Sequence, residues 1–192
     1  MTAQAKPEVS VEAYLATERT STERHEYYAG AVYAMAGGSA RHNRIAGSTY
    51  AALYAQLRQR DCNVYPSDMR VKIAATGLYT YPDITVVCGT EAFEDSSEDT
   101  LLNPSVIIEV LSPSTEKYDR GKKFQHYRSI LSLREYLLIA QDAYHIEQFV
   151  RQSGDTWLFA EAHGRDATLV LPTLQCSLQL AEIYEKVTLE VP

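Results

Sequence analysis

Two acidic residues stand where acids are costly. Asp83 opens the apolar run Tyr81-Pro82-Asp83-Ile84-Thr85-Val86-Val87, and Glu109 lies deep inside Val106-Ile107-Ile108-Glu109-Val110-Leu111. Both runs are rich in β-branched residues and apolar on both alternating faces, the pattern of central strands buried on two sides, and they should lie side by side. A carboxylate in such a strand loses its hydration, a heavy cost unless a cation or several donors replace the water. A buried Arg or Lys would satisfy Glu109 and leave it structural. Asp83 adds a second demand: two carboxylates converging on adjacent strands repel, so one must hold a proton or a divalent cation must sit between them. A hard cation such as Mg²⁺ fits, because it takes oxygen ligands, keeps several waters and is commonly held by one or two carboxylates plus phosphates. That arrangement is catalytic in kind.

The elements that position these acids can be read in outline. Ser10 caps a short helix at Val11-Glu12-Ala13-Tyr14-Leu15, and Glu26 to Met35 reads as two short strands around a turn at Ala29-Gly30. Gly37-Gly38-Ser39 precedes a helix from about Ala40 to Arg60, with Ile45, Thr49, Ala52, Leu53, Gln56 and Leu57 mostly on one face. No Gly-Lys-Ser/Thr or spaced dinucleotide fingerprint follows the glycines, which excludes a nucleotide loop. His42 shares the face of Ile45 and Thr49, where a hydrogen-bonded structural His is expected. Cys62 to Tyr65 and Asp68 to Ile73 alternate as half-exposed strands do, with Arg70 and Lys72 on one side. Those two cations form a solvated face or, beside a metal, meet phosphates; Asp68 is read as a turn acceptor rather than a third acid. Gly89 to Asn103 is read as a solvated acidic loop.

After Glu109, the turn residues Ser112 to Thr115 lead to a helix capped by Asp119 and running to about Ile130, with Phe124, Tyr127 and Leu131 facing the sheet. Lys123 stands four positions before Tyr127 and shares its side, so it can bend over the strand ends, whereas Lys122 points outward. Glu135 to Ala140 reads as a third buried strand. Tyr144 to Val150, Thr156 to Ala160 and Ala167 to Leu171 are shorter strands, Leu180 to Lys186 a closing helix, and Trp157 a packing residue.

Asp83 after Pro82, Glu109-Val110-Leu111, Ser112-Pro113-Ser114-Thr115 and Asp119-Arg120-Gly121-Lys122-Lys123 resemble the Uma-type restriction endonucleases, a branch of the PD-(D/E)xK nuclease superfamily. The likeness runs from about Ser10 to the C-terminal end. It implies a mixed α/β, restriction-endonuclease-like sheet flanked by helices, with an α-β-β-β-α-β core, that hydrolyses DNA with Mg²⁺ or Mn²⁺. In the superfamily the Asp and Glu hold the metal, and a Lys two residues beyond the Glu handles the attacking water. Here that position is Leu111; the Uma-type branch implies a Lys from the following helix, and Lys123 is the matching position. The expected metal ligands are therefore Asp83, Glu109 and the Val110 carbonyl. The resemblance also gives His42 a phosphate-contacting or metal-supporting role, and Arg70 and Lys72 are further candidates for phosphate contacts.

Composition sets the outer bounds. At 192 residues, 45% apolar and 22% charged, the chain suits one domain with a buried core, its residues 1–9 poorly ordered. A net charge of −7 argues against a protein that coats nucleic acid, so any basic surface must be local. Cysteines at 62, 88 and 176 lack zinc-site spacing, and no run approaches the roughly 18 apolar residues of a membrane span or the core of a secretory signal. These features suggest a cytoplasmic protein. The tyrosine-rich hairpin and the need to cut two strands suggest a homodimer. Two rival readings stay open: a DNA- or protein-binding module whose acids are satisfied by basic side chains, and, last, a carbohydrate hydrolase with paired carboxylates. Acids within reach of one metal favour the enzyme; an acid bound to a buried Arg favours the module.

Overall fold

The computed structural model describes residues 8–189. The expected loose start over residues 1–9 lies outside them apart from Glu8 and Val9. Val9 is held, its N–H donating to the Gly30 carbonyl at 2.9 Å and its own carbonyl accepting from the Tyr27 hydroxyl at 2.9 Å.

Helix α1 (Val11–Glu18) begins where Ser10 accepts the Ala13 N–H. Strands β1 (His25–Tyr28) and β2 (Ala31–Ala34) turn at Ala29 and Gly30, whose φ values of 47° and 77° suit the tight hairpin turn. Ser39 caps α2 (Ala40–Leu57), which buries Ile45, Thr49, Leu53 and Leu57 at helical spacing. There follow β3 (Cys62–Pro66), β4 (Arg70–Ile73), β5 (Leu78–Thr80), β6 (Ile84–Cys88), β7 (Thr100–Leu101) and β8 (Val106–Val110). After α3 (Glu116–Tyr118), a wide π turn over Asp119–Lys123 and α4 (Phe124–Tyr127) comes β9 (Glu135–Ile139). Two hairpins, β10 (His145–Arg151) with β11 (Trp157–His163) and β12 (Thr168–Leu171) with β13 (Cys176–Gln179), lead to α5 (Leu180–Ile183).

Among the described residues the central sheet runs β11-β10-β9-β8-β6-β3, parallel only between β8 and β9, and a second sheet runs β2-β1-β5-β4-β7. This is a mixed α/β fold with helices against its sheets. Residues alternate between the faces of β8: Val106, Ile108 and Val110 join the core beneath α2, while Ile107 and Leu111 join the core beneath α4 and the second sheet. Glu109 has the parity of Ile107 and Leu111, so the strand aims its carboxylate toward α4.

Several expectations change. The helix after β8 starts at Glu116 rather than Asp119, and Asp119 is a buried member of the π turn. Leu131 is 85% exposed, because the helix has ended before it. Helix α2 ends at Leu57, not Arg60. Strand β13 was not foreseen, and α5 is a single turn. Cys62 and Cys88 face one another in the β3–β6 register and form a disulfide; antiparallel pairing, invisible in their spacing, brings them together. Such bonds belong chiefly to oxidising compartments, so the cysteines lend no support to a cytoplasmic location. No described helix is long and apolar enough to cross a membrane.

The acidic loop is also more than a solvated segment. Arg19, at the end of α1, bonds Asp99 at 2.8 Å and Asp95 at 2.7 Å, and Lys72 and Tyr79 both donate to Glu94. The Arg19 bonds hold the Asp99 carboxyl down at about 2. A depressed carboxyl stabilises the fold above its unfolded value and loses that contribution as pH falls through the folded value, so the window runs from about pH 4 to about pH 2. Asp99→Asn should therefore cost about 1 kcal/mol at neutral pH, after discounting for the loop's exposure, with the deficit closing toward pH 2. Urea unfolding at several pH values measures this; a pH-independent deficit would exclude the linkage.

Candidate active site

The β6–β8 register pairs Ile84 with Ile108 and Thr85 with Ile107. Continued by one residue, it places Asp83 opposite Glu109, where the Cβ atoms of facing residues are about 5 Å apart. Asp83 Oδ2 accepts from the Val110 N–H at 2.7 Å, and Oδ1 lies 2.9 Å from His42 Nε2. Glu109 is buried at 4% exposure, and its Oε1 accepts from the Tyr127 hydroxyl at 2.7 Å and from Lys123 Nζ at 2.8 Å. Neither acid is bonded to an arginine among the described residues.

Lys123 is the hub of this cluster. Its Nζ also lies 3.6 Å from Glu26 Oε1 and 3.6 Å from Asp119 Oδ1. Asp119 precedes it by four residues and shares its side of the helical segment, while Lys122 is turned out to solvent. The Tyr136 hydroxyl donates to the Asp119 backbone carbonyl at 3.1 Å, and Thr80 donates to the Glu26 carboxylate, so the backbone that carries Asp119 and the Glu26 acid are both held by other elements.

Burial pushes the Glu109 carboxyl up to about 8, against the pull of Lys123, with Asp119 and Asp83 adding to the rise. Burial also raises Asp119. The surrounding carboxylates outweigh burial at Lys123 and hold it well above the ordinary range, so it stays an ammonium. The bond to Asp83 raises His42. A site that strains to keep its acids charged lacks positive charge. It can supply oxygen donors, a fixed ammonium and an imidazole from opposite walls of one cleft.

That cleft, about 670 Å³, is lined by Glu26, His42, Asp83, Glu109, Asp119 and Lys123 among others. It is acidic rather than locally basic. Helix α2 brings His42 to it, its first turn tied to the end of β8 through Gln141, which accepts from Ser39 and donates to the Leu111 carbonyl at 2.6 Å. Gly38 permits the approach, because a Cβ there would sit 2.7 Å from His42 Cδ2.

Arg70 and Lys72 lie elsewhere. Arg70 is buried against Thr100, Tyr81 and Asp99, and Lys72 is bound to Glu94, so the acidic loop has taken both cations that were candidates for phosphate. Asp68 lies at the cleft rim, bonded to Arg24. Trp157 packs edge-on against Phe124 with Arg151 over its ring. Sequence reasoning missed Glu26 and misread Asp119. For Asp119 the four-residue spacing to Lys123 was the available signal; for Glu26 there was none, since only the sheet of β1 brings it near.

The family model "Uma2: Putative restriction endonuclease" matches residues 11–182. The chain belongs to the Uma2 family. In Synechocystis sp., the Uncharacterized protein sll1609 is 38% identical over 156 residues, covering 81% of this chain and 88% of that one. From the same organism, the Uncharacterized protein slr1290 is 35% identical over 178 residues, covering 93% and 92%. The crystal structure of a "putative nuclease" from Anabaena variabilis superposes with a TM-score of 0.76 at 16% identity, over 94% of this chain and 99% of that one. The likeness establishes a nuclease-like fold for this Uma2 chain.

The Tyr127 hydroxyl is one of the few donors that reach the buried Glu109. Tyr127→Phe should lower the stability of the metal-free Uma2 chain by about 1–3 kcal/mol, the cost of leaving a buried acceptor short of a partner. Tyr28→Phe, at a ring 38% exposed, should change it by about 0.5 kcal/mol or less. Equal urea midpoints for the two variants would contradict the role given to this hydroxyl.

Proposed function

We propose that this Uma2 chain is an endonuclease that hydrolyses DNA phosphodiester bonds with Mg²⁺ or Mn²⁺. The observation that carries the reading is the pairing of Asp83 with Glu109 across β6 and β8, with the buried Lys123 ammonium 2.8 Å from Glu109. The donor set fits a hard divalent cation: carboxylate oxygens of Asp83 and Glu109 and the Val110 carbonyl, in a cluster whose acids outnumber its cations. When bound, such an ion lowers the pKa of a coordinated water and offsets the charge of a phosphate.

The chain's own residues do the rest. Lys123, kept protonated, acts as a cation and donor: it orients the water and stabilises charge growing on the phosphoryl oxygens. His42 orients Asp83 through its Nε2 and, at the cleft wall, can meet a phosphate. DNA is the partner, and the acidity of the cleft makes its approach depend on the metal.

Single-turnover cleavage of supercoiled, linear and single-stranded DNA tests the proposal, alongside calorimetric titration with Mn²⁺. Asp83→Ala and Glu109→Gln should lose both metal uptake and cleavage. Lys123→Ala should keep metal uptake and slow cleavage by about a hundredfold or more, and Lys122→Ala should cleave like wild type. Unchanged metal affinity in both carboxylate variants would sink the metal assignment. Uniform inactivity of wild type on all three DNA forms would favour a binding module.

The proposal includes a homodimer. Among the described residues strand β2 ends its sheet with an open edge, and Val32 and Tyr33 on it are 41% and 54% exposed, while Tyr14, Tyr27 and Tyr79 are spent on a core cluster. Sedimentation should give a dimer at micromolar concentration; a monomer would refute it.

A further inference from the structure

A second group of donors lies on the β10–β11 hairpin, outside the cleft. The register sets His145 opposite His163, and alternation puts Glu161, two residues earlier on β11, on the same face. The two imidazoles stack, with centroids 4.1 Å apart and planes at 11°. Each points Nε2 at the one carboxylate: His145 reaches Glu161 Oε2 at 3.2 Å, and His163 reaches Glu161 Oε1 at 3.2 Å. The three residues offer ligand atoms that all lie within 4.8 Å of one another.

That spacing is informative. A tetrahedral ion with bonds of about 2.0–2.2 Å to nitrogen and oxygen holds its donors about 3.3–3.6 Å apart. Each imidazole Nε2 lies 3.2 Å from a different oxygen of Glu161, and the three donors fall within 4.8 Å of one another, so an ion would take the place of the hydrogens in the His–Glu bonds and draw the three side chains together by rotation without moving the strands. The platform is also fixed: the Tyr184 hydroxyl shares its proton between the Ala140 carbonyl at 2.8 Å and the His145 carbonyl at 3.0 Å, and accepts from the His145 N–H at 3.3 Å. Glu147, the cross-strand partner of Glu161, is engaged by Arg120 and stays out of the donor set.

The donor types differ from those of the cleft. Two imidazoles and one carboxylate suit a borderline cation such as Zn²⁺, Ni²⁺ or Cu²⁺, whereas Mg²⁺ prefers oxygen and its own waters. We propose that His145, Glu161 and His163 form a separate site for a divalent transition-metal ion of the Zn²⁺ class, which clasps β10 to β11 and leaves a coordination position to water. The site does not depend on the nuclease reading. Its exposure, with the His163 side chain 59% accessible, lets ions reach it and lets the ligand be changed without opening the core.

The test uses the tag-free full chain, titrated calorimetrically with Zn²⁺ in excess Mg²⁺, with Co²⁺ as an absorbing substitute that reports nitrogen ligation. Wild type and Asp83→Ala should take up Zn²⁺ alike. His163→Ala and Glu161→Gln, shown to be folded by circular dichroism, should each bind about tenfold or more weakly and lose the Co²⁺ bands. The proposal is overturned if wild type takes up no Zn²⁺, if both hairpin variants bind as wild type does, or if Asp83→Ala alone abolishes uptake.

Discussion

The structure turns on burying an acid at Glu109, in the middle of a strand covered on both faces. Burial holds its carboxyl up to about 8 even with Lys123 beside it, so the acid favours its proton near neutral pH until more positive charge comes close. What opposes that pressure is Lys123 at 2.8 Å together with the Tyr127 hydroxyl. A pair of this kind need not add stability over a well-packed apolar pair, but removing one member leaves an uncompensated buried charge at a cost of about 3–5 kcal/mol. The segment from α3 to α4 is thus required where it is. It is fixed there by Phe124 stacked on Tyr136 at 5.0 Å and by the Tyr136 hydroxyl on the Asp119 carbonyl.

The same ammonium has to serve too many acids. Glu26, Glu109 and Asp119 surround it within 3.6 Å, and Asp83 faces Glu109 with His42 and the Val110 N–H at its side. The fold accepts this excess by holding each carboxylate through a different element: the second sheet holds Glu26, the π turn Asp119, and the β8 backbone Asp83. Such an arrangement has no packing purpose, since apolar residues would fill the volume at less cost. It makes sense as a place for added positive charge, which the proposed metal would bring.

The pairing of the two central strands was legible from β-branched runs, and so were the acids within them, the cap at Ser10, the turn at Ala29-Gly30 and the opposite exposure of Lys122 and Lys123. These depend on local period and turn chemistry. What failed depended on contacts between distant segments. Arg70 and Lys72 looked free because their partners lie in a loop more than twenty residues away. Asp119 was read as a cap because a polar residue before an apolar run is one; its burial follows from the π turn, which no residue pattern announced. Glu26 sits among tyrosines in an ordinary hairpin, and it becomes a neighbour of Lys123 only when the second sheet folds against α4.

The displacement of the lysine from strand to helix has a further consequence. A Lys at position 111 would lie two residues after Glu109 on the same face of β8, and the strand alone would keep the two together. Leu111 instead contributes its side chain to the core with Tyr127 and Leu138. The cation then reaches Glu109 only while a short segment, interrupted by a π turn, remains docked on the sheet. Undocking would leave Glu109 without its partner, so the buried acid penalises local opening of a segment that its own length would not stabilise. The charge that would serve phosphoryl transfer therefore also secures the element carrying it.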